Sequence, residues 1–340
     1  MNNSRVLISI LNWNGGATTL EAIGAIYKSK YIDFTILLID NASTDGSIEL
    51  IQREFPQVKV LKNSENLGFA RGQNQGINFA KENGYELVWI LNNDTNVDPD
   101  ALGLLVGEVD RDAKVCMVSP IIIDDDTRQG LQFCGCSIDA ENFKFDHFKT
   151  VDEAINSQNL NADCFCIWGT AILARTTIIS KLGGFDDKFF AYYEDLDLSV
   201  RVIKNGYLNK VVPDAIVRHG GVNHADQRPP HYSYFNTRNR FIFWDKHVSK
   251  KRRFKFYREF LAGALIFASV WREKGDHVRE QATLLAIWDG VRKVGGPWDK
   301  NRHAPRILFF PLVKYAYFVA DILRDGLFLK IRRLISGGGR

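Results

Sequence analysis

Four apolar runs of strand length alternate with helix-forming segments over the first hundred residues, and this alternation constrains the fold more than any other feature. Glycine, proline and Asn/Asp clusters separate the two kinds of element, which also differ in length. A βαβαβ order of this kind predicts a parallel, doubly wound α/β core. The predicted strands comprise residues 5–11, 34–39, 58–61 and 86–91.

The predicted helices carry end signals. Thr18 and Glu21 have the spacing of a capping box, which predicts a helix ending near Lys28. Asp98-Pro99 predicts a helix start with proline in the first helical position. A glycine-rich loop is expected to precede a helix at about 74–83, and a further helix is predicted over about 45–55.

Charge is distributed unevenly along the 340 residues. Residues 1–239 contain 22 Lys and Arg against 31 Asp and Glu, a net charge of −9, whereas residues 240–340 contain 22 against 9, a net charge of +13. The acidic part argues against wrapping a nucleic acid, and the basic part suits an anionic surface. Length and charge together predict two domains, 1–235 and 236–340.

The C-terminal domain is predicted to be helical, basic and rich in aromatic residues. Apolar residues from Phe254 to Trp271 recur at helical spacing, and a second helix is predicted over 276–294. Residues 307–335 mix aromatic and basic side chains, with no uncharged run near the ~20 residues that a membrane span needs. We expect these last helices to lie in the interface of an anionic membrane, or else to pack on the first domain or a second subunit.

The chain has five cysteines, an odd number, and no secretory signal is seen before the first strand, so a reducing cytoplasm is expected. Two pairs have a single residue between the cysteines, whereas zinc ligands are usually separated by two or more. We therefore expect core or loop cysteines rather than a zinc site. The five are Cys116, Cys134, Cys136, Cys164 and Cys166.

Dinucleotide binding is the first function to consider for such a core, but the glycines do not support it. Asn14-Gly15-Gly16 lacks the G-x-G-x-x-G spacing, and no Walker sequence occurs. Polar residues stand at the predicted strand ends instead, where they suit contacts to a base edge, to ribose hydroxyls or to a cation on a diphosphate. They are Asn12, Trp13, Asp40, Asn41, Asn66, Gly68 and the turn Asn92-Asn93-Asp94.

An acidic cluster, Glu194-Asp195-x-Asp197, follows the Asn92-Asn93-Asp94 turn by about a hundred residues. Like charges this close repel unless a cation, a donor or a proton is shared, and such arrangements are common at functional sites. Residues 194–205 also look helical, and acidic residues in a first helical turn are stabilised by the helix dipole. Both interpretations stay open at this point.

Several motifs occur in a fixed order between residues 4 and 240: Asp40-Asn41-Ala42-Ser43, Asn66-Leu67-Gly68-Phe69-Ala70, Asn92-Asn93-Asp94, and Gly184-Phe185-Asp186 leading to Glu194-Asp195. Together they resemble the family 2 glycosyltransferases of GT-A fold. Within that family, the combination of an N-x-D in place of D-x-D with the later Arg238-Asn239 is similar to the pattern of bacterial rhamnosyltransferases, which build cell-surface polysaccharides. The resemblance implies a doubly wound mixed sheet followed by a helical region.

The resemblance also implies donor-binding roles. Asp40 matches the residue that reads a pyrimidine N3–H, Trp13 stands where an aromatic residue stacks on the base, and Asn93 matches the ribose contact. Asp94 matches the ligand of Mg²⁺ or Mn²⁺ on the diphosphate. His219 resembles a further metal ligand, which is needed because Asn92 replaces a carboxylate; the alternative is an ordinary core or surface histidine. Asn66, Gly68, Asn92 and Arg238 complete the predicted donor site, although Arg238 could instead cap a helix of the second domain.

Asp195 matches the catalytic base of the family. A sugar hydroxyl is a poor nucleophile, and a carboxylate that removes its proton contributes on the order of 10² to 10⁴ in rate. The displacement is then single and inverting, with no protein nucleophile. Glu194 is the rival base, and the alternative is a carboxylate at a helix N-terminus. Trp168 and Gly169 fall between the Asn92-Asn93-Asp94 turn and the acidic cluster and are predicted, with Glu194, to bind the acceptor; Trp168 could also be plain core.

These inferences predict a peripheral, cytoplasmic-face enzyme on the inner face of the plasma membrane. It would be a metal-dependent inverting glycosyltransferase that moves L-rhamnose from dTDP-L-rhamnose to a lipid-linked or polysaccharide acceptor, such as an O-antigen, and it could form a homo-oligomer. The alternatives are another UDP- or dTDP-sugar, such as UDP-galactofuranose, and a non-catalytic scaffold that binds sugar nucleotides. A sugar nucleotidyltransferase would need a glycine- and arginine-rich loop after the first strand, which Asn12 to Gly16 do not provide.

Overall fold

A computed structural model of the chain describes residues 4–124, 130–220 and 228–305. Two compact units are present, Met1–His224 and Ala225–Arg340. The predicted interfacial helices at 307–335 lie outside the described residues.

The first unit is a mixed α/β fold, as predicted. In chain order its strands are β1 (Val6–Asn12), β2 (Phe34–Asp40), β3 (Lys59–Lys62), β4 (Leu87–Asn92), β5 (Thr95–Val97), β6 (Val115–Asp124), β7 (Leu131–Phe133), β8 (Cys136–Asp139), β9 (Lys144–His147), β10 (Phe165–Cys166), β11 (Ala171–Arg175) and β12 (Leu208–His219). Its helices are α1 (Gly16–Ile26), α2 (Ser47–Glu54), α3 (Gly68–Glu82), α4 (Ala101–Arg111), α5 (Val151–Leu160), α6 (Thr176–Lys181) and α7 (Glu194–Lys204).

The large sheet has the strand order β3-β2-β1-β4-β11-β6-β12-β5, with β7 paired to β6. The first four of these strands run parallel, so their polar carboxyl ends meet at one edge. β11 enters antiparallel between β4 and β6. Its first residue, Ala171, therefore lies opposite Leu91 at the same edge, and the residues just before it reach the turn that follows β4. A second, three-stranded sheet has the order β10-β8-β9.

α3 begins six residues earlier than predicted, because its glycines were taken for loop residues. Added Cβ atoms at Gly72 and Gly76 would lie 2.4 Å from Leu11 Cδ1 and 2.1 Å from Ser9 Oγ. The glycines therefore allow the helix to pack directly on β1. The helix start is held by Phe190, whose carbonyl oxygen accepts hydrogen bonds from the amides of Phe69 and Ala70.

Two other predicted helix starts were wrong. α1 begins at Gly16, before the expected capping box, and its N-cap residue makes no side-chain cap hydrogen bond. α4 begins at Ala101 with Asp100 as N-cap, two residues beyond the predicted Asp98-Pro99 start. The start of α7 at Glu194 is confirmed. β12 ends at His219, so the predicted metal ligand is the last residue of a strand.

The second unit contains three described helices, α8 (Pro230–His247), α9 (Arg253–Glu273) and α10 (His277–Val291). The predicted helices over 254–271 and 276–294 are confirmed as α9 and α10, with Asp276 as the N-cap of α10. Within the unit, the buried Asp289 carboxylate accepts hydrogen bonds from Tyr234 Oη and from the Arg302 guanidinium. In the described part of the chain, no helix is both long and apolar enough to cross a bilayer.

The five cysteines lie in the first unit as free thiols. Four are buried and Cys164 is half-buried. The Cys136 thiol donates to the carbonyl oxygen of Cys166 over 3.7 Å, and the Cys134 thiol to that of Thr150 over 3.4 Å. Burial raises the pKa of Cys134 to about 11, so this thiol stays protonated at neutral pH.

Candidate active site

A buried hydrogen-bond network joins the carboxyl end of β1 to the turn after β4. Asn12 Nδ2 donates to Ser43 Oγ at 2.9 Å, and Asn12 Oδ1 accepts from Thr19 Oγ1 at 2.7 Å. Asn93 Nδ2 in turn donates to Thr19 Oγ1 at 2.8 Å. An added Cβ at Gly15 would lie within 2.5 Å of three polar atoms of this network, so only glycine fits there. Asn93 is thus fixed by α1 rather than left mobile in a turn.

A second group of predicted donor residues lies at the end of β2 and around the start of α3. Asp40 is buried, and its Oδ1 accepts from the amide of Ser43 at 3.1 Å. Asn66 Oδ1 accepts from the amide of Gly68 at 2.8 Å and from Asn41 Nδ2 at 3.2 Å. Gly68 has a φ of +77°, and an added Cβ would lie 2.6 Å from the Phe190 carbonyl oxygen. Asn66 and Gly68 therefore shape the start of α3.

The two predicted metal ligands face each other. His219 Nε2 lies 3.2 Å from Asp94 Oδ1 and 3.4 Å from Asn92 Nδ2. Asp94 Oδ1 is buried and accepts no hydrogen bond within the described residues. The other ring nitrogen, Nδ1, lies 2.7 Å from Gln132 Oε1. The antiparallel pairing of β12 with β5 aligns His219 with Thr95, which brings the two ligands together.

A carboxylate oxygen without a donor beside an imidazole nitrogen suits a divalent cation. The described residues contain no group of three or more His, Cys, Asp and Glu that could hold a metal on its own. Mg²⁺ is often bound through one or two carboxylates together with substrate phosphates and water. The donor set therefore fits a cation that binds along with a diphosphate.

One short stretch of backbone connects the Asn92-Asn93-Asp94 turn to the acidic cluster Glu194-Asp195-x-Asp197. The amide of Asn92 donates to the Thr170 carbonyl oxygen at 3.0 Å, and the amide of Gly169 donates to Asp195 Oδ2 at 2.7 Å. The other carboxylate oxygen, Asp195 Oδ1, accepts from the amide of Leu196 at 2.7 Å. Burial raises the pKa of Asp195, and these amide hydrogen bonds oppose that rise. A base whose pKa is raised toward neutral pH is better matched to proton removal.

The other two carboxylates of the cluster have different surroundings. Glu194 is buried, its Oε2 has no hydrogen-bond partner among the described residues, and burial raises its pKa well above the ordinary value. Asp197 is fully buried and pairs with Arg201 Nε at 2.7 Å, one turn along α7. Arg201 also donates to the carbonyl oxygens of Leu182 and Gly184. Asp197 therefore anchors α7, whereas Glu194 is a buried acid without such a partner.

The buried Glu194 carboxyl should make folding stability depend on pH. Because its pKa is higher in the folded chain than the ordinary 4.5, the folded state binds the proton more tightly than the unfolded state does. This contribution is fully present below about pH 4.5 and is lost as pH rises through the raised pKa. Glu194→Gln should therefore gain stability relative to wild type between pH 5 and pH 8, measured by urea unfolding. A difference that stays constant over this range would contradict the assignment.

Trp168, which precedes Gly169, packs in an aromatic stack. Its ring lies parallel to that of Phe133, with centroids 4.0 Å apart, and edge-on to His147 at 5.2 Å. Trp168 is only half-buried, so part of the ring stays accessible. Burial lowers the pKa of His147, so this imidazole is neutral at neutral pH.

The two remaining predicted donor residues are Trp13 and Arg238. Trp13 follows β1 and is 57% exposed, as a stacking platform for a base would be. Arg238 belongs to α8 of the second unit, where its guanidinium donates to the Gly296 carbonyl oxygen and lies over the Tyr234 ring. Packing within the second unit accounts for these Arg238 contacts.

Two residues that hold the site together were missed from the sequence. Thr19 was overlooked because the adjacent Thr18 fitted a capping box. Gln132 carried no signal, since it lies on a three-residue strand outside every motif. Their roles depend on tertiary contacts over 74 and 87 residues of separation, to Asn93 and His219 respectively.

Comparison with known proteins matches this architecture. The sequence model of glycosyl transferase family 2 matches residues 7–183. The chain is 27% identical over 231 residues to an N-acetylglucosaminyl-diphospho-decaprenol L-rhamnosyltransferase of Mycobacterium tuberculosis, covering 63% of this chain and 75% of that protein. It is 21% identical over 305 residues to the dTDP-rhamnosyl transferase RfbF of Shigella flexneri, covering 86% and 98%.

A solved structure shares the fold. The mannosyltransferase PcManGT of Pyrobaculum calidifontis, in complex with GDP-Man and Mn²⁺, superposes with a TM-score of 0.55 at 16% identity, covering 86% of this chain and 74% of that one. The predicted GT-A fold is thereby confirmed. The family match extends over more than half of the chain and includes the strand-end residues and the Asn92-Asn93-Asp94 turn. This chain belongs to glycosyl transferase family 2 and is a glycosyltransferase.

Proposed function

We propose that this glycosyltransferase moves L-rhamnose from dTDP-L-rhamnose to a lipid-linked or polysaccharide acceptor in cell-surface glycan synthesis, with inversion and with a divalent cation. The observation that carries the mechanism is the backbone link between Asn92, Thr170, Gly169 and Asp195, which ties the candidate base to the candidate diphosphate site. The choice of rhamnose is supported by the two relatives, both of which are named as rhamnosyltransferases.

The donor would bind along the carboxyl ends of the parallel strands. Asp40 offers an acceptor to the pyrimidine N3–H, and the exposed Trp13 ring offers a stacking surface to the base. Asn93, whose Nδ2 donates to Thr19 Oγ1, would contact the ribose. Asp94 and His219 would hold the cation, which when bound neutralises charge on the leaving diphosphate.

Asp195 would act as the general base. An acceptor hydroxyl gives its proton to the Asp195 carboxylate while its oxygen attacks the anomeric carbon, and the bond from that carbon to the diphosphate oxygen breaks. Attack from the face opposite the leaving group inverts the configuration. The amides of Gly169 and Leu196 hold the carboxylate in place for this transfer.

The acceptor would bind beside the aromatic stack. Trp168 presents its accessible ring surface next to Gly169, and sugars commonly pack on such apolar surfaces through their C–H groups. Glu194, when protonated, would donate a hydrogen bond to an acceptor hydroxyl, and a raised pKa favours that form.

Donor identity can be tested by the release of nucleoside diphosphate from a panel of sugar nucleotides with Mn²⁺. We expect dTDP-L-rhamnose to give the fastest release, with slow hydrolysis by water when no acceptor is added. The Asp195→Asn protein, prepared identically, corrects for contaminating hydrolases. Faster release from UDP-galactofuranose would replace rhamnose with the alternative donor, and release by none of the panel would contradict the proposed substrate class.

Binding to an anionic membrane surface is a further part of this proposal. Residues 240–340 carry a net charge of +13, and basic residues 250–253 precede Phe254, which is 78% exposed. Each basic residue near an anionic surface contributes about 1 kcal/mol, an attraction that salt screens. The protein should sediment with phosphatidylglycerol vesicles more than with phosphatidylcholine vesicles, and removal of residues 300–340 should release it. Failure to bind either vesicle, with loss of a dimer on that deletion, would indicate oligomerisation instead.

A further inference from the structure

Gln132 lies in a β-bulge beside the predicted cation site. In the pairing of β6 with β7, Ile122 faces Phe133 and Ile123 faces Leu131, so Gln132 is the extra residue without a partner in the ladder. A bulge bends the strand and redirects the side chain of its extra residue, and bulges are frequent next to active sites. Here the redirected side chain places Oε1 at 2.7 Å from His219 Nδ1.

This contact selects one tautomer of His219. An amide oxygen can only accept, so Nδ1 must carry the hydrogen, and in a neutral imidazole Nε2 is then an acceptor. The Asn92 Nδ2 donor, 3.4 Å from Nε2, favours the same tautomer. Asp94 Oδ1, at 3.2 Å, favours the opposite one, because Nε2–H would donate to it. Gln132 therefore opposes a hydrogen bond that would occupy both predicted cation ligands.

Stability alone does not explain a glutamine at this position. Its Nε2 group is buried and has no hydrogen-bond partner within the described residues. An unpaired buried donor costs free energy that an apolar side chain of similar size would avoid. The useful atom of Gln132 is thus Oε1, and its only described contact is with His219.

We propose that Gln132 is a positioning residue that fixes His219 as the Nδ1–H tautomer and so keeps Nε2 open toward Asp94 for a divalent cation. The inference rests on the cation site of the proposed function. Partners of this kind on metal-binding histidines typically contribute 10- to 100-fold to metal affinity.

The tautomer can be measured without metal or turnover, by ¹⁵N NMR of the full chain labelled at histidine, with His219→Asn to assign the signals. Wild type should show Nδ1 protonated and Nε2 unprotonated. Gln132→Leu should shift His219 toward the Nε2–H form, whereas Gln132→Glu, which keeps an acceptor, should retain the wild-type tautomer. Gln132→Met, which also lacks the acceptor, replaces leucine should that variant fail to fold.

Mn²⁺ affinity, measured by electron paramagnetic resonance with nucleoside diphosphate present, gives the second readout. Gln132→Leu should lower the affinity about 10- to 100-fold, and Gln132→Glu should not. An Nε2–H tautomer in wild type, or unchanged tautomer and affinity in Gln132→Leu, would overturn the inference and leave the proposed function standing. If Gln132→Leu shifts the tautomer but the wild-type protein binds no Mn²⁺, the cation site itself is overturned. The role of Gln132 in metal binding is then overturned with it.

Discussion

Replacing Asp195 by asparagine is expected to slow sugar transfer on the order of 10² to 10⁴-fold while leaving donor binding unchanged. The carboxamide keeps the shape of the side chain and an oxygen for the amide of Gly169, but it loses the acceptor for the amide of Leu196 and cannot take a proton from the acceptor hydroxyl. Product formation measures transfer, and calorimetry with the nucleoside diphosphate measures donor binding. The two readouts separate a loss of chemistry from a loss of the site.

Asp152→Asn is a suitable control for this experiment. Asp152 also lies in the first turn of a helix, α5, but it is exposed and outside the site. Its replacement should leave both readouts unchanged. Near-normal transfer by Asp195→Asn would instead assign the base to Glu194, the neighbouring buried acid.

Asp94→Ala is expected to abolish the stimulation of turnover by Mn²⁺ and to lower the rate by at least about 100-fold, because a bound cation contributes several kcal/mol to stabilising charge on the leaving group. The fold should persist, since Asp94 Oδ1 accepts no hydrogen bond from the described residues. Nucleoside diphosphate release as a function of Mn²⁺ concentration gives the measurement, with circular dichroism to check folding.

Asp98→Ala supplies the matched control, because Asp98 lies in the same connection between β4 and α4 and its Oδ1 accepts a hydrogen bond from the amide of Asp100. Its response to Mn²⁺ should resemble that of wild type. Full wild-type activity in excess EDTA would remove the cation from the mechanism altogether.

The parallel part of the fold was predictable because its strands are continuous apolar runs. Trp89, Ile8 and Leu38 are fully buried, as the pattern of the β1, β2 and β4 segments indicates. The start of α7 was predictable from the acidic residues of its first turn. The start of α3 was not predictable, because a glycine that allows a helix to pack on a strand has the same local signature as a glycine in a loop.

The geometry of the candidate site was less accessible from the sequence. Asp94 and Asp195 were found because each lies in a motif. The sequence did not indicate that the backbone of residues 169 and 170 joins them. The position of that backbone follows from β11 entering the sheet antiparallel, a choice of direction that depends on competing strand partners rather than on residue pattern. Gln132 and Thr19 act through contacts between elements far apart in the chain, which neither propensity nor periodicity reports.

The backbone link through Thr170 and Gly169 has a consequence for how this enzyme can diverge. Its two hydrogen bonds use the main-chain amides of Asn92 and Gly169 as donors, so a side-chain substitution at 170 leaves both donors intact. A side chain at 169 is not tolerated in the same way, because its Cβ would lie 3.3 Å from Asp195 Cβ. The small sheet of β8, β9 and β10 belongs to an excursion between β7 and β11, attached at both ends to the large sheet but outside its strand order. Insertions in that excursion can therefore accumulate while the hydrogen bonds from Asn92 to Thr170 and from Gly169 to Asp195 keep the same main-chain atoms. Under the proposed function, acceptor preference could then change without loss of the base.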